Sequence, residues 1–397
     1  YVDGALDHTY TTETGDVTYL FNRIGLVEDS GGSLVFLNGL LDEFIVFDEI
    51  LAPDQISEIY TLQSNGLNLD GSVRSCSLPK PAVCFSDDYQ RATLGNDWAV
   101  SSRSGNFGNP RIVNNRLQIN DASGNVSTAA TLFRLFPSAG NKIVVEFDYF
   151  AYGDPTDGGD GIALVFSDSA TAPQPGGYGG SLGYAQKDTI SGFDGGWIGI
   201  GFDEYGNFLN QNDGNKNGGF TNLRRNTITV RGSGSGTTGY NYITSNGQTP
   251  GDNIFPNSLS PTVETASGHR YRVTIDHENA TNAYVTIERD TGSGFVDVVS
   301  TFDLLAQTGQ AAIPDKMYMT ITGSTGGATN AHEIDNLEVC ANTIEPAYYV
   351  DHYELDRDFD LGLTCEPLNI VSRACLNADC STQVSDTIDT TFAPVSG

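Results

Sequence analysis

Short runs of alternating apolar and polar residues, separated by clusters of Gly, Asn, Asp and Pro, fill most of this chain. Lys142-Ile-Val-Val-Glu-Phe-Asp-Tyr-Phe-Ala151, His269-Arg-Tyr-Arg-Val-Thr-Ile-Asp276, Tyr284-Val-Thr-Ile-Glu-Arg289 and Lys316-Met-Tyr-Met-Thr-Ile-Thr322 have the length and alternation of half-buried strands. Gly161-Ile-Ala-Leu-Val-Phe166 is a strand-length apolar run. No long helical pattern interrupts the stretch from Cys84 to Cys340, so many short antiparallel strands predict a two-sheet sandwich. The run Arg231-Gly-Ser-Gly-Ser-Gly-Thr-Thr-Gly239 reads as a mobile loop. It does not open a helix after a strand, which a phosphate cradle requires.

The two ends follow other patterns. Residues 1–70 alternate in β fashion at Val17-Thr-Tyr-Leu-Phe21, Ser33-Leu-Val-Phe-Leu37 and Leu40-Leu-Asp-Glu-Phe-Ile-Val-Phe-Asp48. They then give a short helix over Pro53–Tyr60, with Pro at its first turn and Ile56, Ile59 and Tyr60 on one face. Residues 71–83 read as a linker. From 346 to 397 a new domain begins, with strands at Val350–Leu355 and Leu368–Ala374 and three cysteines close together; it reads as the start of an immunoglobulin-like β-domain.

At 397 residues the chain is too long for one ordinary core. Asp and Glu number 50 against 20 Lys and Arg, a net charge of −30, which excludes a general affinity for nucleic acid or anionic membrane. Salt adaptation or simple solubility is the main reading of that charge, ahead of a surface rich in cation ligands. Six cysteines fit an oxidising compartment, their spacing suits no tetrahedral zinc site, and no apolar stretch approaches the roughly 20 residues of a membrane span. No signal peptide is legible, and Tyr1 falls inside a strand-like pattern, as in an excerpt or processed product.

The segment Gly201-Phe-Asp-Glu-Tyr-Gly-Asn-Phe-Leu-Asn-Gln-Asn-Asp213 carries the most chemistry. Alternation puts Asp203, Tyr205 and Asn207 on one face, and Asp213 follows a short polar loop. Two carboxylates, an amide oxygen and a main-chain carbonyl from one side can hold Ca²⁺. The bland alternative is a set of Asx turns. A second motif, Glu333-Ile-Asp-Asn-Leu-Glu338, fits E-x-D-x-x-E. On a regular strand Glu338 faces away from Glu333, although a bulge could align the three carboxylates. His269, His277 and His332 lack metal spacing; His332 beside Glu333 suits a hydrogen-bonded pair. Asn125-Val-Ser and Asn279-Ala-Thr are glycosylation-type sequons, irrelevant in a bacterial source.

Four stretches in chain order resemble the legume or L-type lectin family. They are Gly159-Asp-Gly-Ile-Ala-Leu-Val-Phe166, Gly176-Gly-Tyr-Gly-Gly-Ser-Leu-Gly183, Phe202–Asp213, and Thr320-Ile-Thr-Gly-Ser-Thr-Gly-Gly-Ala-Thr-Asn-Ala-His-Glu333. The resemblance covers about 84–341 and implies a concanavalin-A-like jelly-roll sandwich with one sugar site. It implies that Asp160 accepts sugar hydroxyls and Gly180 offers a main-chain N–H. Asn207 would ligate Ca²⁺ and donate to the sugar. Tyr205 would ligate Ca²⁺ through its carbonyl and stack on the ring. Asp203 and Asp213 would be calcium carboxylates, with Thr325 and Gly326 on the specificity loop. Gly201 stands where that family places a transition-metal Glu, so the resemblance reduces the metals to calcium. The long spacing to Asp213 leaves Asn210 as an alternative ligand. Terminal strands are neighbours in that fold, which implies a Cys84–Cys340 bridge, worth on the order of 4–5 kcal/mol. Cys375–Cys380 and Cys365–Cys375 both stay open for the late cysteines.

Gly39–Phe47 with Leu51–Tyr60 resembles the C-terminal end of a laminin-G-like, concanavalin-A-like domain. E-x-D-x-x-E resembles the catalytic strand of laminarinase-like retaining glycosidases, with Glu333 as nucleophile and Glu338 as acid/base. Wider phrases, among them Cys84-Phe-Ser-Asp-Asp-Tyr-Gln-Arg91, Gly192-Phe-Asp-Gly-Gly-Trp-Ile-Gly199 and Ala374-Cys-Leu-Asn-Ala-Asp-Cys-Ser381, resemble MshQ-like, MSHA-pilus-associated bacterial surface proteins. The resemblances together imply a secreted or cell-surface, calcium-dependent, glycan-binding adhesin that is not an enzyme. Pilus or filament subunits would be further partners. An inert structural component of a pilus and a glycosidase are the alternatives.

Overall fold

The structure is a computed structural model that describes residues 26–28, 34–36, 51–64, 83–154, 157–347, 352–357, 370–375, 380 and 383. The chain divides into two compact units, Tyr1–Pro79 and Lys80–Gly397.

In the first unit Leu26–Glu28 pairs antiparallel with Leu34–Phe36. The helix runs Pro53–Ser64, one turn beyond the predicted Tyr60. Ala52 N–H donates to Gln55 Oε1 at its start, and Thr61 Oγ1 donates to the Ser57 carbonyl. The strands expected at 17–21 and 40–48, the strand half of the laminin-G-like resemblance, Cys76 and all but Val83 of the 71–83 linker lie outside the described residues. Val83 belongs to the first strand of the sandwich.

The second unit holds the expected β-sandwich, two sheets of eight strands each. The first sheet runs Tyr242–Ser245, Thr227–Arg231, Gly196–Asp203, Gly161–Asp168, Lys316–Ser324 and Ser127–Pro137. Trp98–Ser104 and Glu345–Pro346 both pair with that last strand. The second sheet runs Phe295–Asp303, Tyr284–Asp290, Thr265–His277, Asn141–Gly153, Asn330–Ala341, Arg116–Asn120 and Arg111–Val113. Val83–Asp87 also pairs with Asn330–Ala341.

Alternation explains the core. Ile143, Val145, Phe147, Tyr149 and Ala151 point from the second sheet toward Ile162, Leu164, Phe166, Ile200 and Phe202 of the first. Phe202 meets Phe147 and Tyr271 edge-on, with ring centroids 5.4 and 4.7 Å apart. Truncating it to Ala would cost about 3–5 kcal/mol.

The central strand Gly161–Asp168 is buried on both faces, which is why it reads as an unbroken apolar run. Its other face, Ala163 and Val165, packs under Leu182, Tyr184, Phe193, Phe208 and Tyr240. This outer cluster pins two loops against the sheet. The Gly-Ser-rich run after Arg231 is not a mobile loop. Gly234–Ser235 pairs with Thr238–Gly239, and Gly192 N–H donates to the Gly236 carbonyl.

Cys84 and Cys340 face each other on adjacent strands and are disulfide-bonded. Further along, His352–Arg357 pairs antiparallel with Ile370–Cys375, and Cys375 is bonded to Cys380. Cys365 lies outside the described residues. No helix among the described residues is long and apolar enough to cross a membrane.

Candidate functional site

Register brings the four stretches together. Gly161 pairs with Asp203 on one side and Ser324 on the other, so three neighbouring strands end level. Just beyond that edge, Asp160 N–H donates to the Ser324 carbonyl. The Asp160 carbonyl accepts from the N–H groups of Glu204 and Tyr205. The glycine-rich loop is strapped across these ends. Gly179 N–H donates to the Thr325 carbonyl, Ser324 Oγ to the Gly179 carbonyl, and Thr322 Oγ1 to the Leu182 carbonyl.

The result is an open cleft of about 540 Å³, within the ~300–1,000 Å³ range of small-molecule sites. Asp160, Gly180, Tyr205, Asn207, Asp213 and Gly326 line it. Tyr178 and the exposed Leu223 add apolar wall, and Lys187 a charge. Asp160 Oδ2 and Asn207 Oδ1 are buried acceptors without a protein partner. Burial pushes the Asp160 carboxyl up to about 7; its hydrogen bond with Asn207 opposes this and the Asp213 charge adds to it. Arg225 covers one face of the Tyr205 ring at 4.5 Å and donates to the Gly158 carbonyl.

Two glycines are required by close approach. A β-carbon at Gly180 would lie 2.1 Å from Asp213 Oδ2 and 2.2 Å from Asn207 Cγ. One at Gly201 would lie 2.4 Å from the Phe208 ring and 2.8 Å from Leu182 Cδ1. The place of an acid at 201 is therefore filled by apolar packing.

The other expected residues sit differently. Thr325 is buried: its Oγ1 accepts from Val126 N–H and donates to the Ser123 carbonyl, so it ties loops together and does not line the cleft. Asp203 lies beneath the cleft, fully buried, with Oδ1 accepting from Gly206 N–H at 2.7 Å and Oδ2 from Phe208 N–H at 2.6 Å. Burial raises its carboxyl well above the usual range, against those two hydrogen bonds. Asn210 Oδ1 is used in a turn, accepting from Asn212 N–H.

The donor set expected for calcium does not fit a cation. Both Asp203 oxygens are taken by main-chain N–H groups. Asp213 Oδ1 accepts from Lys187 Nζ at 3.1 Å, and Oδ2 from Lys216 Nζ at 3.3 Å. Lys216 Nζ also donates to the Asp213 carbonyl. Burial opposes ionisation of Asp213, but Lys216 and Lys187 outweigh it and hold its carboxyl below the usual range. The same burial draws Lys216 down to about 8. The unpartnered Asn207 Oδ1 is the one expected ligand oxygen shown to be unused.

Several residues that build the floor were not picked out from the sequence. Arg231 is fully buried and donates to the carbonyls of Phe208, Asn217, Gly218 and Tyr240, holding the 208–218 loop. Glu204 accepts from Asn330 Nδ2 at 3.1 Å and meets His332 Nε2 at 2.6 Å. The Asn120 amide donates to two carbonyls, so its oxygen faces His332 Nδ1, which must carry a proton. The partner of His332 is thus Glu204 and not Glu333.

The E-x-D-x-x-E carboxylates lie elsewhere. A bulge between Asp335 and Glu338 does align them, with Glu333, Asp335 and Glu338 opposite Phe150, Asp148 and Glu146. They occupy the outer face of the second sheet, away from the core and from the cleft. Glu333 is buried, accepts from Tyr152 Oη at 2.7 Å and pairs with Arg116, which stacks on Phe150. That environment suits a structural carboxylate.

Among solved structures the chain is similar to plant lectins. The basic winged bean lectin with Tn-antigen has 13% identity and a TM-score of 0.44, covering 65% of this chain and 98% of that one. The Lotus tetragonolobus seed lectin has 14% identity and a TM-score of 0.46, covering 66% and 99%. Peanut lectin with a 9mer peptide has 16% identity and a TM-score of 0.44, covering 66% and 97%. Residues 350–397 match a family described as a domain of unknown function (DUF8613). A search among curated proteins finds no match.

Proposed function

We propose that the sandwich is a carbohydrate-binding module whose sugar sits over Asp160, Asn207 and Tyr205. The observation that carries this is the pair of unpartnered acceptors, Asp160 Oδ2 and Asn207 Oδ1, at the floor of an open cleft with aromatic and apolar walls. A buried acceptor without a partner costs about 1–3 kcal/mol, which ligand hydroxyls can recover. Planar carboxylate and amide groups match pairs of sugar hydroxyls, and the Tyr rings offer faces for the C–H side of a pyranose. The order of the four lectin-like stretches supports the same reading. We read the module as an extracellular adhesin of a bacterial surface or pilus-associated protein, which the disulfides suit. Calcium is not carried into this reading, because lysines hold Asp213.

A glycan array probed with the wild-type chain and with Asn207→Ala tests the proposal. Binding to a defined set of glycans that Asn207→Ala loses is the expected result. An array with no wild-type binding sinks it and favours an inert spacer.

A further inference from the structure

We propose that the ammonium groups of Lys187 and Lys216 do the work of a divalent cation at the cleft, so that the site assembles without metal. Assembly of the site needs no ligand; that ligand binding is metal-independent rests on the glycan-binding reading above.

The Lys216 side chain has no solvent exposure, and its hydrogen bonds go to Asp213, to the carbonyl and to Oδ2. A buried ammonium is tolerated only beside an opposite charge. Lys187 holds the other oxygen, so both oxygens of Asp213 are bound to nitrogen. Calcium would need carboxylate oxygens at about 2.3–2.6 Å in place of these contacts, leaving Lys216 buried without its counter-charge.

Three further observations agree. Asp203 is held by two main-chain N–H groups that fix the 203–208 turn directly. The space at Gly201, facing the same loop, is filled by Phe208 and Leu182. Beneath the loop Arg231 fastens four carbonyls, from Phe208 to Tyr240.

The test uses the full chain, stripped with excess EDTA and dialysed. Calcium and manganese are titrated in calorimetrically, and thermal melting is followed with each ion and with chelator. No saturable uptake and an unchanged melting temperature are expected. One stoichiometric ion per chain, or a melting temperature that rises with calcium, overturns the proposal. Neither readout needs a glycan, so failure of the glycan reading would show separately, on the array. Lys216→Met and Lys216→Arg complete the test. The Met variant should melt lower whether or not calcium is present, and bind any array-selected glycan about tenfold more weakly or worse. The Arg variant should restore part of both. A Met variant that melts and binds like the wild type, or that calcium rescues, overturns the proposal.

Discussion

Gly180 and Asp213 approach so closely that a single methyl group would not fit between them: a β-carbon at 180 would lie 2.1 Å from Asp213 Oδ2. Asp213 is held in place by two lysines, and Asn207 Cγ would lie 2.2 Å from the same β-carbon. Gly180→Ala should cost about 1–3 kcal/mol in urea denaturation through overpacking. It should also remove glycan binding in calorimetry. Unchanged affinity would show that the loop can open away from Asp213.

Glu204 bridges the sheets to the site. It is buried against His332 and Asn330, one residue from Asp203 and one from Tyr205. Glu204→Ala leaves those two groups without their shared partner and should destabilise the domain by about 3–5 kcal/mol. Equilibrium urea unfolding reads this directly, and a loss below about 1 kcal/mol would mean that water replaces the carboxylate.

Asp87 sets an acid limb. It accepts from Arg91 at 2.5 and 2.7 Å, from Trp98 Nε1 at 2.9 Å and from Tyr89 N–H at 2.9 Å. Burial works against ionisation, but the hydrogen bonds to Arg91, Trp98 and Tyr89 outweigh it, and the folded carboxyl lies below its ordinary value. A depressed folded value means the stabilisation is complete above the unfolded value of about 4 and is lost as pH falls through the folded one. Asp87→Asn should cost about 2–3 kcal/mol at neutral pH and flatten the fall in stability below pH ~4. A parallel acid limb in the variant would assign that fall to other carboxylates.

The Cys84–Cys340 bridge joins residues 256 apart and ties the first strand of the sandwich to its last long one. In the chain-entropy model such a loop contributes about 5 kcal/mol. The double variant Cys84→Ser/Cys340→Ser should show that loss in urea without losing the cleft, since both cysteines belong to the second sheet. Loss of glycan binding in a variant that is still folded would contradict this separation.

The sandwich was legible because each strand carries its own alternation and each turn its own Gly, Asn or Asp. The cleft was legible in part, because Asp160, Tyr205 and Asn207 sit at strand ends whose motifs keep their order. What could not be read were partnerships between distant residues. Glu204 and His332 are 128 positions apart, and Arg231 and Phe208 are 23. Lys216 follows Asp213 by three, yet only the fold turns its ammonium inward onto the expected ligand. Thr325 has the right neighbours for a specificity loop, but its hydroxyl is used to join two loops. Glu333 and Glu338 share a face because of a bulge that spacing alone leaves undecided.

The cleft as a sugar site is tested most directly by isothermal titration of an array-selected glycan into the wild-type chain and into Asp160→Asn. Asp160→Asn keeps the shape of the side chain and replaces one acceptor oxygen with a donor. One site per wild-type chain is expected, with an affinity at least about tenfold weaker in the variant and melting temperature little changed. Equal affinity in the two proteins would contradict it.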